Sequence, residues 1–239
     1  MVKPFAASEM TISSTPVRRF CLLALVHLHK NETLPALAAS FGVSVATAWR
    51  YVNETLEALA SWAPGLHEAL VGLGEGDFVI VHDTLIATDR IKADEPYYSM
   101  KHKQHGINVQ VVARPDGTPL WFSRATPGRT HDLTAARAHG IVQACPTRQI
   151  LILADRAYQG AGATVRTPYY HYHEQPEHYQ QFNRDHSTLR APGEHAFAQL
   201  KTSRLLRRAR RSTRRIGTAV QAVQAVQAVH TLMTCSYSG

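Results

Sequence analysis

The chain is short of cysteine, has no long apolar run, and its last stretch carries no acid. Cys21, Cys145 and Cys235 are far apart, odd in number and in no CxxC pattern. That excludes a disulfide framework and a cysteine zinc site, and it points to a reducing compartment. No run approaches the ~18 consecutive apolar residues that span a bilayer, and the start lacks the three-part pattern of a signal peptide. A cytoplasmic protein is expected. Residues 201–239 hold eight basic side chains and no Asp or Glu. Residues 1–70 hold five of each sign and residues 71–200 thirteen of each, so the whole net charge of +8 lies in the tail. It is concentrated between Lys201 and Arg215. A basic block on a neutral background reads as a phosphate-contacting surface.

What remains is ample for folding. At 239 residues and 44% hydrophobic content the chain can build one medium domain and a small one. Residues 17–31 are apolar with helical period, and Asn31 is a plausible stop. Thr33 can cap a second helix with Pro35 in its first turn. Ala38 is small where two helices would cross, and Gly42 can take the positive φ of a tight turn. Ser44 can cap a third helix with Val45, Ala48 and Val52 as its apolar stripe. This is the layout of a helix-turn-helix whose second helix enters the major groove. Ser44, Thr47, Arg50 and Tyr51 are the outward candidates for DNA contact. Glycines at 72, 74 and 76 break the chain, which places a helix-turn-helix domain at 1–72 and a second domain at 73–239.

The second part alternates. Strands are expected at 78–82, 106–113, 119–125 and 149–154, with a hairpin turn at Pro115-Asp116-Gly117-Thr118. Thr130, beside His131 and Asp132, can cap a helix running to about Ala144. A short strand near 164–168 precedes helices to the end. Three antiparallel strands, a helix and a further strand beside the first give a ribonuclease H-like α/β order: a mixed sheet flanked by helices. In that order the ends of the first and fourth strands lie side by side. Asp83 follows Phe78-Val79-Ile80-Val81, and Asp155 follows Ile150-Leu151-Ile152-Leu153-Ala154. Glu194 sits in a helical stretch from Arg190 to Lys201. Two strand-end aspartates and a helix glutamate can hold two divalent metals about 3.5–4 Å apart and cut a phosphodiester bond.

At these residues the chain resembles the DDE-superfamily transposases of bacterial insertion sequences, in the branch related to Harbinger elements. The matching stretches run over residues 84–90, 98–110, 127–137, 153–160 and 190–201, and the helix-turn-helix is similar to the family's N-terminal module. The resemblance implies a metal-dependent DNA endonuclease and strand transferase. Its metal ligands would be Asp83, Asp155 and Glu194, and its cofactors two Mg²⁺ (or Mn²⁺) ions. Arg190, Glu194 and Lys201 resemble an Arg/Glu/Lys signature whose basic members hold phosphates. Lys201, Arg204, Arg207, Arg208 and the arginines up to Arg215 would continue that contact. The implied partner is double-stranded DNA, bound by a homodimer. His131 and Asp132 take a supporting role.

Two departures stand out. Ser187 replaces the tyrosine that often precedes the signature. The family's Asp-Gly falls on His82-Asp83, a one-residue shift that turns a strand carboxylate to the other face unless the strand end bends. His82 becomes a candidate ligand, although imidazole suits magnesium poorly. The start reads as short for the family. A non-catalytic DNA-binding derivative is therefore the competing reading, and a repair-type nuclease on the same fold a third. The histidines between His171 and His186 read as solvated. The Ala-Val-Gln repeat at 219–229 reads as core packing or a dimer contact.

Overall fold

The computed structural model describes residues 15–88, 95–162, 164–171, 173–209 and 213–236. Three helices open it: α1 (Thr15–Lys30), α2 (Leu34–Phe41) and α3 (Val45–Ser61). Each boundary has a local cause. Asn31 takes φ 57° and stops α1. The Thr33 hydroxyl accepts from the Ala36 amide at 3.4 Å, and Pro35 sits in the first turn of α2. Gly42 turns the chain at φ 61°, a left-handed conformation that side chains resist. The Ser44 hydroxyl then accepts from the Thr47 amide at 3.1 Å and starts α3. The buried stripe of α3 is Ala48, Val52 and Leu56, whereas Val45, expected in that stripe, is exposed. A short α4 (Leu66–Ala69) leads to the sheet.

The sheet is built on β1 (Phe78–Thr88). It is followed by β2 (Tyr98–Ser99), β3 (Gln104–Ala113), β4 (Pro119–Phe122) and β5 (Thr126–Pro127). Then come α5 (Asp132–Ala138), α6 (Ile141–Ala144), β6 (Leu151–Leu153) and β7 (Val165–Arg166). The chain ends with α7 (Glu177–Arg190), α8 (Gly193–Leu200), β8 (Arg208–Ala209) and α9 (Thr213–Ser236). The strand order is β2-β3-β1-β6-β7, with β4 and β5 on β3 and β8 on β1. β3 is antiparallel to β1 and to β4, while β6 is parallel to β1. This is the ribonuclease H-like α/β arrangement expected from the sequence.

Four boundaries differ from expectation by more than two residues. β1 does not stop at residue 82: its pairing with β3 continues to Ala87, so Asp83 is mid-strand and the strand does not bend there. The third strand ends at Phe122. The expected helix to Ala144 breaks at His139-Gly140, where Gly140 takes φ 78°. The stretch from Arg190 to Lys201 is not one helix. Pro192 lacks the amide a helix interior needs, and the chain turns at Ala191-Pro192 before α8 begins.

The sheet separates two apolar clusters. One face packs Val79, Val81 and Val112 against Ile141, Ala144 and Tyr158. The other packs Ile86, Val109, Val111 and Phe122 against Phe197, Leu200, Val220 and Val223. That second cluster also takes in Leu23, Leu37, Val52 and Leu56 of the first three helices. The repeat in α9 joins the two parts. Ala219, Val220, Ala222, Val223 and Ala225 are buried, while Val226 and Val229 are exposed. Gln224 accepts from the Phe122 amide at 3.2 Å and donates to the Pro64 carbonyl at 3.1 Å. No helix among the described residues is long and apolar enough to cross a membrane.

Candidate functional site

The site lies where one edge of β1 is left open. β6 pairs with that edge at Phe78–Ile80 and β8 pairs with it at Ala87–Thr88. Between the two ladders stand His82, Asp83 and Thr84, and into this gap comes Asp155, just beyond the end of β6. The carboxyl end of β6 opens onto this gap, the kind of position at which open α/β sheets place their ligands. A nitrogen of His82 and a carboxylate oxygen each of Asp83 and Asp155 lie within 4.8 Å of one another. The expected meeting of Asp83 and Asp155 is present, with His82 as the third member.

Alternation along β1 assigns these side chains to different faces. His82 points to the face covered by α8. Its ring lies 5.4 Å from that of Phe197, and its Nε2 donates to Oε1 of Glu194 at 2.6 Å. Thr84 shares this face and accepts from Lys201 Nζ at 2.9 Å. Asp83 points the other way. Lys101 Nζ donates to both its carboxylate oxygens, at 3.2 and 3.4 Å, and to Asp132 Oδ2 at 3.2 Å. Of the expected triad, Asp83 and Asp155 converge and Glu194 meets His82 instead. Glu194 approaches the cluster through His82, and Asp83 is not on the Glu194 face.

Behind Asp83 lies a buried polar network. Asn108 donates to Asp132 Oδ1 at 2.8 Å. The Gln110 amide donates to the Asp132 carbonyl at 2.6 Å and to the Tyr158 hydroxyl oxygen at 2.9 Å. Burial raises the Asp83 carboxyl above the ordinary carboxylate range; nearby Asp132 and Asp155 push the same way and Lys101 opposes them. The Tyr158 hydroxyl is pushed well up by burial and by the same three carboxylates. Lys101 is itself raised: burial disfavours its charge, but Asp83 and Asp132 together outweigh that. Asp155 caps the short turn after β6, accepting from the Ala157 amide at 2.9 Å. A cavity of about 550 Å³ opens over Asp83, Lys101, Arg129, Asp132, Asp155 and Arg156.

Sequence reasoning missed Lys101, Asn108 and Gln110 as site residues. A signal was present: two amides at alternate positions of an otherwise apolar buried strand need partners. Of the supporting pair, Asp132 is buried in the network, while His131 is the exposed residue preceding α5 and makes no side-chain cap bond.

The outward candidates on α3 divide. Ser44 and Arg50 are exposed, with Arg50 3.8 Å from Glu54. Thr47 is half-buried against Ser44, their hydroxyls 2.8 Å apart. Tyr51, expected outward, stacks on Phe20 at 3.8 Å between centroids and is half-buried, because α1 crosses α3 there. In the basic segment Arg204 and Arg207 are exposed, and Arg190 is half-buried at the end of α7. Arg215 stacks over the Trp49 ring at 4.8 Å. Arg210, Arg211 and the side chains of Arg208 and Arg214 lie outside the described residues.

Residues 82–231 match the family described as DDE superfamily endonuclease, and residues 17–64 match the helix-turn-helix of DDE superfamily endonuclease. The chain belongs to the DDE endonuclease superfamily. It is 28% identical over 202 residues to a Streptomyces albus G protein assigned as the transposase for insertion sequence element IS112, covering 82% of this chain and 73% of that one. No solved structure matches. Membership supports a DNA transposase role with an N-terminal helix-turn-helix. DDE endonucleases use divalent metals, and the donors at the β1 gap fit one: two carboxylates converge with an imidazole whose Nδ1 is buried and has no hydrogen-bond partner.

Proposed function

We propose that this protein is an insertion-sequence transposase. It would bind its element's ends, cleave a phosphodiester bond there and join the freed 3′-hydroxyl to target DNA. The observation that carries the reading is the convergence of His82, Asp83 and Asp155 within 4.8 Å in the β1 gap. A bound divalent cation would supply Lewis acidity at the scissile phosphate and an acidified water. The resemblance implies a pair of ions, of which this cluster would hold one.

The protein's own residues do the rest. Glu194 orients His82, and Lys101 neutralises Asp83 and Asp132 until a cation takes its place. Lys201 lies next to the cluster on the Thr84 side and would hold a phosphate flanking the cut. Arg190, Arg204, Arg207 and Arg208 would extend that contact. The unit within residues 1–72 would present Ser44, Thr47, Arg50 and Tyr51 to the inverted repeats, and residues 73–239 would cut. Two ends must be handled together, which favours a homodimer on DNA, in the cytoplasm at the nucleoid.

The test uses the full chain and a duplex carrying the inverted repeats that flank its gene. Divalent cation should support nicking at the repeat end. Asp155→Asn should abolish nicking while a gel-shift complex persists. Nicking that survives this change would overturn the site. Binding with no nicking under any divalent cation would mark a non-catalytic DNA-binding derivative.

A further inference from the structure

We infer that the cluster at the β1 gap selects a first-row transition dication over magnesium, with His82 as a direct ligand and Glu194 as its positioning residue. This rests on the reading that the cluster holds the cleavage metal, and adds which class of ion it takes.

The inference begins with the imidazole. Nε2 of His82 faces the Glu194 carboxylate at 2.6 Å. A carboxylate only accepts, so Nε2 carries a proton, and the tautomer that binds a cation has its lone pair on Nδ1. Nδ1 is buried and has no hydrogen-bond partner. An unsatisfied buried acceptor is destabilising, and a metal ion satisfies it. Glu194 and His82 would form the outer part of a carboxylate–histidine–metal relay, in which the carboxylate fixes the tautomer and ring orientation.

The donor set then decides the ion. One imidazole nitrogen with the carboxylates of Asp83 and Asp155 is a mixed nitrogen and oxygen set. Magnesium prefers oxygen ligands and sheds water reluctantly, whereas imidazole binds the later first-row dications well. The shift of Asp83 to the opposite face is what creates this set, because it leaves a histidine on the Glu194 side of β1. Lys101 holds the position of a cation between Asp83 and Asp132, and its side chain is 52% exposed, so it can swing out as an ion enters.

The test is Co²⁺ binding to the full chain, read by its visible absorption, in competition with Mg²⁺. Co²⁺ should bind and persist in a large molar excess of Mg²⁺. His82→Asp, or the closer-shaped His82→Asn should the first fail to fold, should erase that preference. Glu194→Gln should weaken Co²⁺ about 10–100-fold and shift the absorption band, which a merely structural change would not do. Asp155→Asn should remove the band. Equal binding of Mg²⁺ and Co²⁺, or a preference that survives loss of the imidazole, would overturn the inference. Mg²⁺-supported nicking with no Co²⁺ preference would defeat it and leave the transposase reading standing. A Co²⁺ site without nicking would do the reverse.

Discussion

His82 and Asp83 are neighbours in the chain and opponents across the sheet. His82 meets Glu194 and Phe197, and Asp83 meets Lys101. Replacing the pair together, His82→Asp with Asp83→Gly, moves the carboxylate to the Glu194 face. Mg²⁺-supported cleavage should then rise at least about a hundredfold, or ~2.7 kcal/mol in the barrier, since the carboxylate acts directly on the transition state. Nicking assays with the two proteins side by side check this. Cysteine gives a second prediction at this scale. Burial pushes the Cys145 thiol from 9.0 up to about 11, whereas Cys21 is exposed. Native alkylation followed by peptide mapping should label Cys21 and spare Cys145. A folded value raised above the unfolded one stabilises fully below the unfolded value and is lost as pH rises through the folded value. The fold should therefore lose stability on going from pH 9.0 to about 11.

Elements hold the site through close contacts. α8 begins at Gly193, where an added Cβ would stand 2.6 Å from Ile80 Cγ2 in the core beneath the cluster. Gly193→Ala must push α8 off β1. We expect a loss of about 1–3 kcal/mol in chemical denaturation, as for overpacked cores, together with a longer His82–Glu194 contact and weaker metal binding. The hairpin turn between β3 and β4 supports the same helix: Gly117, at φ 86°, brings its backbone against the Pro192 carbonyl. On the other side α3 packs along α9, with Arg215 over Trp49. Leu56→Ala in α3 removes a buried side chain from the apolar cluster that both helices share and should cost about 2–5 kcal/mol.

At the scale of the whole molecule, one apolar cluster runs from α1, α2 and α3 through the sheet face to α9. Unfolding should therefore be a single transition. Denaturation followed by helical circular dichroism should coincide with the fluorescence of Trp121, a strand residue, in a chain whose other tryptophans are changed to phenylalanine. Charge acts at this scale as well. All of the net +8 lies beyond residue 200, and Arg204 and Arg207 are exposed. Replacing both with glutamine should flatten the slope of log affinity against log salt by roughly one for each lost phosphate contact. An unchanged slope would mean that these arginines are only solvated.

Local chemistry made much of this legible without coordinates. Thr33, Gly42 and Ser44 mark their caps and turn because capping oxygens and positive φ act over three or four residues. The apolar runs before Asp83 and Asp155 mark buried strands, and the order of elements implies that those strands are neighbours. Tertiary structure alone decided which way the side chains point. β1 runs straight on because β3 pairs with it to Ala87, so the alternation of faces passes through His82-Asp83 unbroken. Val45 and Tyr51 exchanged their expected environments because the angle at which α1 crosses α3 is set by packing. Lys101 reaches Asp83 and Asp132 from a separate segment, a long-range contact that no spacing along the chain encodes. Residue type and period determine what each element is; the pairing of distant elements determines what its side chains meet.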